Sequence, residues 1–390
     1  MKSTSIGKIA DVQTGPFGSQ LHKEDYVLNG TPIVTVEHLG QKIFTTQNLP
    51  CVSDKDKERL AKYTMRPGDI IFSRVGSVDR CSYATVGNNE WLFSGRCLRL
   101  RVTDDGVESE YLYYYFCQEA IKELIRNHAV GATMPSLNTK LLSELPFTYP
   151  EKNEQKRVVS LLSNIDAKIE RNAQINQNLE QQIQAIFSHL INEPASFYSK
   201  LGDVCKCVLG GTPDRSKPEY WNGDIPWINS GKVNDFRITT PSELITEDGL
   251  KRSATKLLPS KTTVLAITGA TLGQVSLLEI SACANQSVIG VIGNERTPYT
   301  FIYPFIKAQI GELMAHQTGG AQQHINKQNV EDLPIPIYAQ DKMAEYDTVA
   351  RPLFDAISCN CFESLRLAAL RDTLLPKLMS GEIDVSEVAV

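Results

Sequence analysis

The chain has 390 residues, enough for two or three domains with cores of their own, and its 42% hydrophobic and 22% charged content is ordinary for a globular protein. No apolar run approaches the roughly 20 residues that cross a bilayer, and the opening MKSTSIGKIADVQTG lacks the apolar stretch of a secretion signal, so a cytoplasmic protein is expected. A net charge of −5 argues against a lone nucleic-acid-binding module; such a role would need local basic patches, or partner subunits carrying most of the phosphate contacts.

In chain order, residues 1–150 read as a β-rich domain. Short β-branched and aromatic runs such as IIFSRV are broken by Gly and Pro, and an amphipathic helix is predicted over 111–125. Residues 151–194 predict a long helix, loop-free over 153–191 and stopped by Pro194. Residues 195–338 repeat the first pattern with TVLAIT, SVIGVIG and a helix over 300–317. Residues 339–390 give a second long helix, roughly 341–379, and a tail. Pro352 should kink that helix or mark its true start, and Pro376 should disturb its last turn. The nine cysteines include the C-x-C pairs Cys205/Cys207 and Cys359/Cys361, with no second pair or histidine cluster nearby. Reduced, packed thiols and no metal site are expected.

The repeat organises the whole chain. GATMPSLNTKLLSELPF (131–147) aligns with GGAQQHINKQNVEDLPI (319–335), so that Leu145-Pro146 falls on Leu333-Pro334, 188 positions later. SIGKIADVQTG (5–15) resembles KLGDVCKCVLGG (200–211), and RPGDIIFSRVGS (66–77) matches LPSKTTVLAITGA (258–270) in pattern. Identity is low, so the halves share a scaffold while their loops differ.

The long helices carry a 4,3 spacing through Val158, Leu162, Ile165, Ile169, Asn172, Asn176, Leu179, Ile183, Ile186 and Leu190, a coiled-coil seam. The same shift gives Tyr346, Ala350, Leu353, Ile357, Asn360, Ser364, Leu367, Arg371, Leu374 and Leu378. If the helices pair antiparallel about a pseudo-twofold, Asn172 meets Ser364 and Asn176 meets Asn360 in a polar layer that fixes register at a cost in stability. The alternative is that these Asn residues merely interrupt two separate seams. Arg371, standing where the first seam has Ile183, should be exposed or salt-bridged. A seam of this length, on the order of 48 Å at 1.5 Å per residue, would act as a ruler between the two β-rich domains. The predicted fold class is therefore α+β: two β-rich domains in pseudo-twofold repeat, separated by a pair of long antiparallel coiled-coil helices.

Catalytic motifs are missing. There is no Gly-x-x-x-x-Gly-Lys-Ser/Thr phosphate loop. Asp224-Ile225-Pro226-Trp227 lacks the second proline of an amino-methyltransferase loop and fits better as the start of a strand. Pro213-Asp214 is followed by no Glu-x-Lys strand, and Glu154-Gln155-Lys156 starts a helix.

Four motifs in this order carry a family resemblance: GKIADVQTGPFGSQL (7–21), its second copy LGDVCKCVLGGTPD (201–214) followed by IPWINSGKV (225–233), the helical segment 151–187, and LRDTLLPKLMSGEIDV (370–385). Over essentially its whole length the chain resembles the specificity subunit of a type I restriction-modification system. The resemblance implies a non-catalytic subunit with target-recognition domains at 1–150 and 195–338, a central conserved helix at 151–194 and a C-terminal conserved helix and tail at 339–390. It also implies that each domain reads half of a bipartite double-stranded DNA site. Two methyltransferase subunits would bind the chain, and restriction/translocase subunits would join through them. S-adenosylmethionine, ATP and Mg would act in those partners, with no cofactor bound by this chain. Two other readings stay open. One is a stand-alone methyltransferase with its own target domain, which an S-adenosylmethionine site would decide. The other is a coiled-coil adaptor with β-rich, lectin-like domains and no nucleic-acid role, which salt-dependent binding to a bipartite duplex would decide.

Arg reads guanine and Asn or Gln reads adenine, while Ser, Thr and backbone groups take phosphates. Candidates in the first domain are Ser19, Arg74, Ser77, Arg80, Arg96, Thr133 and Ser136. In the second they are Thr212, Arg215, Thr268, Thr271, Gln274, Asn285, Gln322, Gln323 and His324, beside Gln286, Ser287 and Gln317. Arg99 and Arg101 alternate with Leu98 and Leu100, which places them on a polar strand face, either solvated or on phosphate.

Overall fold

The computed structural model describes residues 1–18, 20–129, 131, 135–315 and 324–388, apart from the side chain of residue 23. It divides into two compact units, Met1–Lys168 with Leu367–Val390, and Ile169–Arg366.

In the first unit, strand Lys2–Ser5 pairs antiparallel with Pro146–Tyr149, so the domain's two ends close on each other. A four-stranded antiparallel sheet follows in the order Ala10–Thr14, Cys97–Val102, Ile70–Ser73, Cys81–Tyr83. A second sheet runs Tyr26–Val27, Cys51–Val52, Thr31–Val34, Leu92–Phe93, its last pair parallel with Ile33 opposite Leu92. Strand Cys97–Val102 is covered on both faces. Leu98 and Leu100 join the core formed with Tyr111, Tyr114 and Phe116, while Cys97 joins a separate core with Phe93 and Ile71. Arg99 and Arg101 are therefore not a solvated or phosphate-facing pair. Arg99 is 5% exposed and bonds Asp11 at 2.9 Å, and Arg101 holds Asp69 through Nε and Nη2 at 2.7 and 2.6 Å. Alternation marks a polar face only where one side of the sheet meets water.

The helix expected over 111–125 is two helices, Ser109–Cys117 and Glu119–His128, separated by Gln118 in extended conformation. Tyr111–Phe116 is buried all round, whereas the second helix buries only Ile125, so the two need different surroundings.

The second unit repeats the scheme. Phe197–Lys200 pairs with Pro334–Ile337. One sheet runs Lys206–Leu209, Val288–Ile292, Thr263–Ala266, Val275–Leu277, in the same topological order as its counterpart. The other runs Glu243–Ile245, Trp221–Ile228, Ala282–Ala284, Leu257–Leu258, with its parallel pair in the centre rather than at the edge. Asp224 to Trp227 lies within a strand, and Trp227 is a 2% exposed anchor whose indole N–H donates to Gly211 O at 3.1 Å.

The long helices are Lys152–Ile191 and Gln340–Ser380. Pro352 and Pro376 both lie inside the second, so Pro352 does not mark its start. Proline removes one backbone donor, and the burial of Ala350, Phe354 and Ile357 on either side offsets that loss. Within the second unit, Asn172 Nδ2 donates to Ser364 Oγ at 3.2 Å and Asn360 Nδ2 donates to Asn176 Oδ1 at 2.9 Å. Partner numbers fall along one helix as they rise along the other, so these stretches run antiparallel. Ile183 packs in one cluster with Phe354, Leu277 and Tyr303. The counterparts of Ile183 and Phe354, 188 positions away, are Arg371 and Asp166, which form a 2.8 Å ion pair in the first unit. An apolar pair in one unit is thus an ionic pair in the other. Among the described residues no helix is long and apolar enough to cross a membrane.

Candidate nucleic-acid interface

Strand register places the candidate loops of each unit at one end of both sheets. In the first unit, Arg74 N–H donates to Arg96 O at 2.8 Å, Leu137 N–H to Arg74 O at 2.8 Å, and Gly76 N–H to Pro135 O at 3.0 Å. The loop after Ile70–Ser73, the turn before Cys97–Val102 and the segment around Ser136 therefore form one backbone-tied face. Val75 and Ser136 form a one-residue bridge. In the second unit Ile267 N–H donates to Ser287 O at 2.9 Å and Ile325 N–H to Ile267 O at 3.1 Å, and Thr268 bridges His324. The same three segments meet in the same way.

The segment opening each domain belongs to this face. A Cβ on Gly15 would lie 2.1 Å from Ser94 O, and one on Gly210 equally close to Asn285 O, so only glycine permits the approach. Gly76 and Gly269, one residue past the two bridges, have φ of +76° and +72°, with no atom near a would-be Cβ. The turn demands the left-handed conformation there, and the backbone at that point faces open space.

Several candidates share these faces. Arg80 and Arg96 are exposed, with no ion pair among the described residues, and Ser77 is exposed beside them. Arg74 is half-buried, its Nη1 donating to Gly95 O at 3.1 Å. In the second unit Gln274 and His324 are exposed, while Thr212, Thr268, Thr271 and Asn285 are half-buried around them. Arg215 is differently placed. Its guanidinium lies 3.6 Å from the Trp221 ring centroid and donates to both Glu243 carboxylate oxygens at 2.6 and 2.7 Å, so its fork is already occupied. Ser19, Thr133, Gln317, Gln322 and Gln323 lie outside the described residues. The sequence reading missed two exposed lysines at this end. Lys256 follows Thr255, whose hydroxyl donates to Ala284 O at 3.1 Å, and Lys62 precedes Tyr63, whose hydroxyl donates to Gln20 Oε1 at 2.7 Å. The register of Leu257 against Cys283 could have flagged Lys256, had the second sheet been foreseen.

All nine cysteines are free, and burial pushes the Cys97 thiol up to about 12, far from a reactive thiolate. Among the described residues no group of three or more His, Cys, Asp or Glu is arranged to hold a metal.

A chain that carries one loop-built polar face twice, on two copies of one β-rich scaffold, is a two-headed recognition protein. It belongs to the family of type I restriction modification DNA specificity domains, whose sequence profile matches residues 1–181 and 197–346. It is 24% identical over 426 residues to the type I restriction enzyme MjaIX specificity subunit of Methanocaldococcus jannaschii, covering 99% of this chain and 97% of that one. It is 22% identical over 465 residues to the HindI specificity subunit of Haemophilus influenzae, covering 98% and 99%. Its fold is similar to the crystal structure of the type I restriction-modification S subunit from M. genitalium, with a TM-score of 0.54, 18% identity, and coverage of 97% and 96%.

Proposed function

We propose that this chain is the sequence-reading subunit of a type I restriction-modification complex and performs no chemistry itself. Each recognition domain reads one half of a bipartite duplex site. The observation that carries this reading is the matched pair of faces, each built from the same three backbone-tied segments, with Ser77, Arg80 and Arg96 exposed on the first and Gln274, Gln286 and His324 on the second. Those side chains discriminate base edges or hold phosphates. The duplicated scaffold supplies two equivalent sets of surfaces, the simplest basis for two methyltransferase subunits per chain. Restriction/translocase subunits join through them. S-adenosylmethionine, ATP and Mg belong to those partners, the chain binds no cofactor of its own, and the assembly works in the cytoplasm.

The test is to co-express the chain with a methyltransferase subunit encoded beside it, map modified sites genome-wide, and measure binding to the deduced duplex over a salt series. A bipartite modified motif, with affinity falling steeply as salt rises, is the expected result. A protein that assembles with partners but binds no duplex would be the adaptor instead.

A further inference from the structure

The turn Asn285–Ser287 carries two amide side chains whose carbonyl ends are already engaged. Asn285 Oδ1 accepts from the Ser287 backbone N–H at 3.1 Å, and Gln286 Oε1 accepts from the Thr212 hydroxyl. Gln286 is exposed, whereas Asn285 is half-buried in its own turn. The Thr212 hydroxyl is the donor in this contact and the Gln286 amide turns its oxygen towards it. This leaves the NH2 group and the second carbonyl lone pair without a partner among the described residues. An exposed amide with both functions available pairs bidentately with adenine, donating to N7 and accepting from the N6 amino group. A glutamine on a bare loop would lose most of its rotamer freedom on binding, and the Thr212 hydroxyl removes part of that freedom beforehand. Thr212 itself is fixed by its neighbour. Gly211 N–H donates to Ala284 O at 2.8 Å, which docks this segment against the strand leading into the turn. In the first unit the same turn reads Ser94-Gly95-Arg96 and carries an arginine in place of amides.

We infer, building on the function proposed above, that Gln286 reads an adenine in the half-site of the second domain and that Thr212 is its positioning residue. The chain assembled with its methyltransferase subunit is presented with duplexes carrying each base in turn at every half-site position. Wild type prefers adenine at one position of the second half-site. Gln286→Ala lowers that preference by roughly tenfold to a hundredfold and leaves the other positions unchanged. Gln286→Glu moves the preference towards cytosine, whose N4 amino group donates to a carboxylate. Thr212→Val keeps the side-chain shape, removes the hydroxyl and weakens the same preference, and Thr212→Ser restores it. A wild-type preference that Gln286→Ala leaves intact, or a loss of affinity equal over all sequences, overturns the assignment alone. A wild-type complex without any sequence preference overturns the functional reading and this assignment with it.

Discussion

Single arginines on one short stretch of the first domain have opposite fates. Arg96 is exposed without an ion pair among the described residues, whereas Arg99, three residues on, is 5% exposed and bonded to Asp11. The turn leaves Arg96 in solvent, and the strand turns Arg99 onto its Cys97 face, where the guanidinium lies 5.9 Å from the Phe93 ring centroid. Arg96→Ala should therefore remove about 1–3 kcal/mol of discrimination at one guanine of the first half-site, with folding unaffected. Competition binding with base-substituted duplexes measures this, and a uniform loss of affinity would make Arg96 a phosphate contact. The Ser-Gly-Arg turn was legible because small residues beside an arginine suit a loop where backbone nears a ligand. The inward course of Arg99 and Arg101 was not, since a polar alternation looks the same whether its partners are water or buried Asp69.

Between the long helices, and between helix and recognition domain, polar contacts set alignment where apolar packing alone would allow slippage. Asn176 and Asn360 share one hydrogen bond at 2.9 Å, and Asn176 also donates to Cys361 Sγ. Asn176→Leu alone strands the Asn360 amide and should cost about 1–3 kcal/mol, and the double replacement Asn176→Leu/Asn360→Leu should recover most of it. A double-mutant cycle by chemical unfolding reads the coupling, and additive costs would mean the pair is not a unit. A second device fastens the second recognition domain to the first long helix. Arg237, with a side chain 0% exposed, donates to Glu180 and to Tyr303 at 2.8 Å each, and Lys307 also reaches Glu180. Burial pushes the Glu180 carboxyl up, but Arg237 and Lys307 outweigh it and hold the group below its ordinary range. A carboxylate depressed in the folded state is stabilising above its unfolded pKa, and the contribution is lost as pH falls through the folded value. Glu180→Gln should therefore flatten the acid side of the stability–pH curve, read as Tm against pH, and an unchanged acid limb would mean Glu180 is not coupled to folding. The heptad spacing made the helix seam readable from sequence. Arg237 was not readable, because its partners lie 57 and 66 residues away and no local pattern links them.

Across the chain, a net charge of −5 is compatible with DNA reading because cations such as Arg80, Arg96, Lys62 and Lys256 are exposed at the two faces. The same repeat that builds those faces gives each domain the same closure of its strands. Its first and last strands pair with each other, Lys2–Ser5 with Pro146–Tyr149 and Phe197–Lys200 with Pro334–Ile337, so each domain closes before its long helix begins. Closure of this kind was foreshadowed by the shared Leu-Pro at 145–146 and 333–334. The second sheet was not, because strands of two residues such as Leu92–Phe93 leave no periodicity to detect. Cutting just past Tyr149 severs the chain but no strand pairing, so an exchange at that point keeps the donor domain's sheets whole. Replacing residues 1–150 with the corresponding domain of another family member should then change one half of the modified site and leave the other half as it was. Genome-wide mapping of modified bases in cells expressing the chimera with its methyltransferase partner decides the matter. A change in both halves would show that reading by one domain depends on the other, and that closure of the strands does not make the domains independent readers.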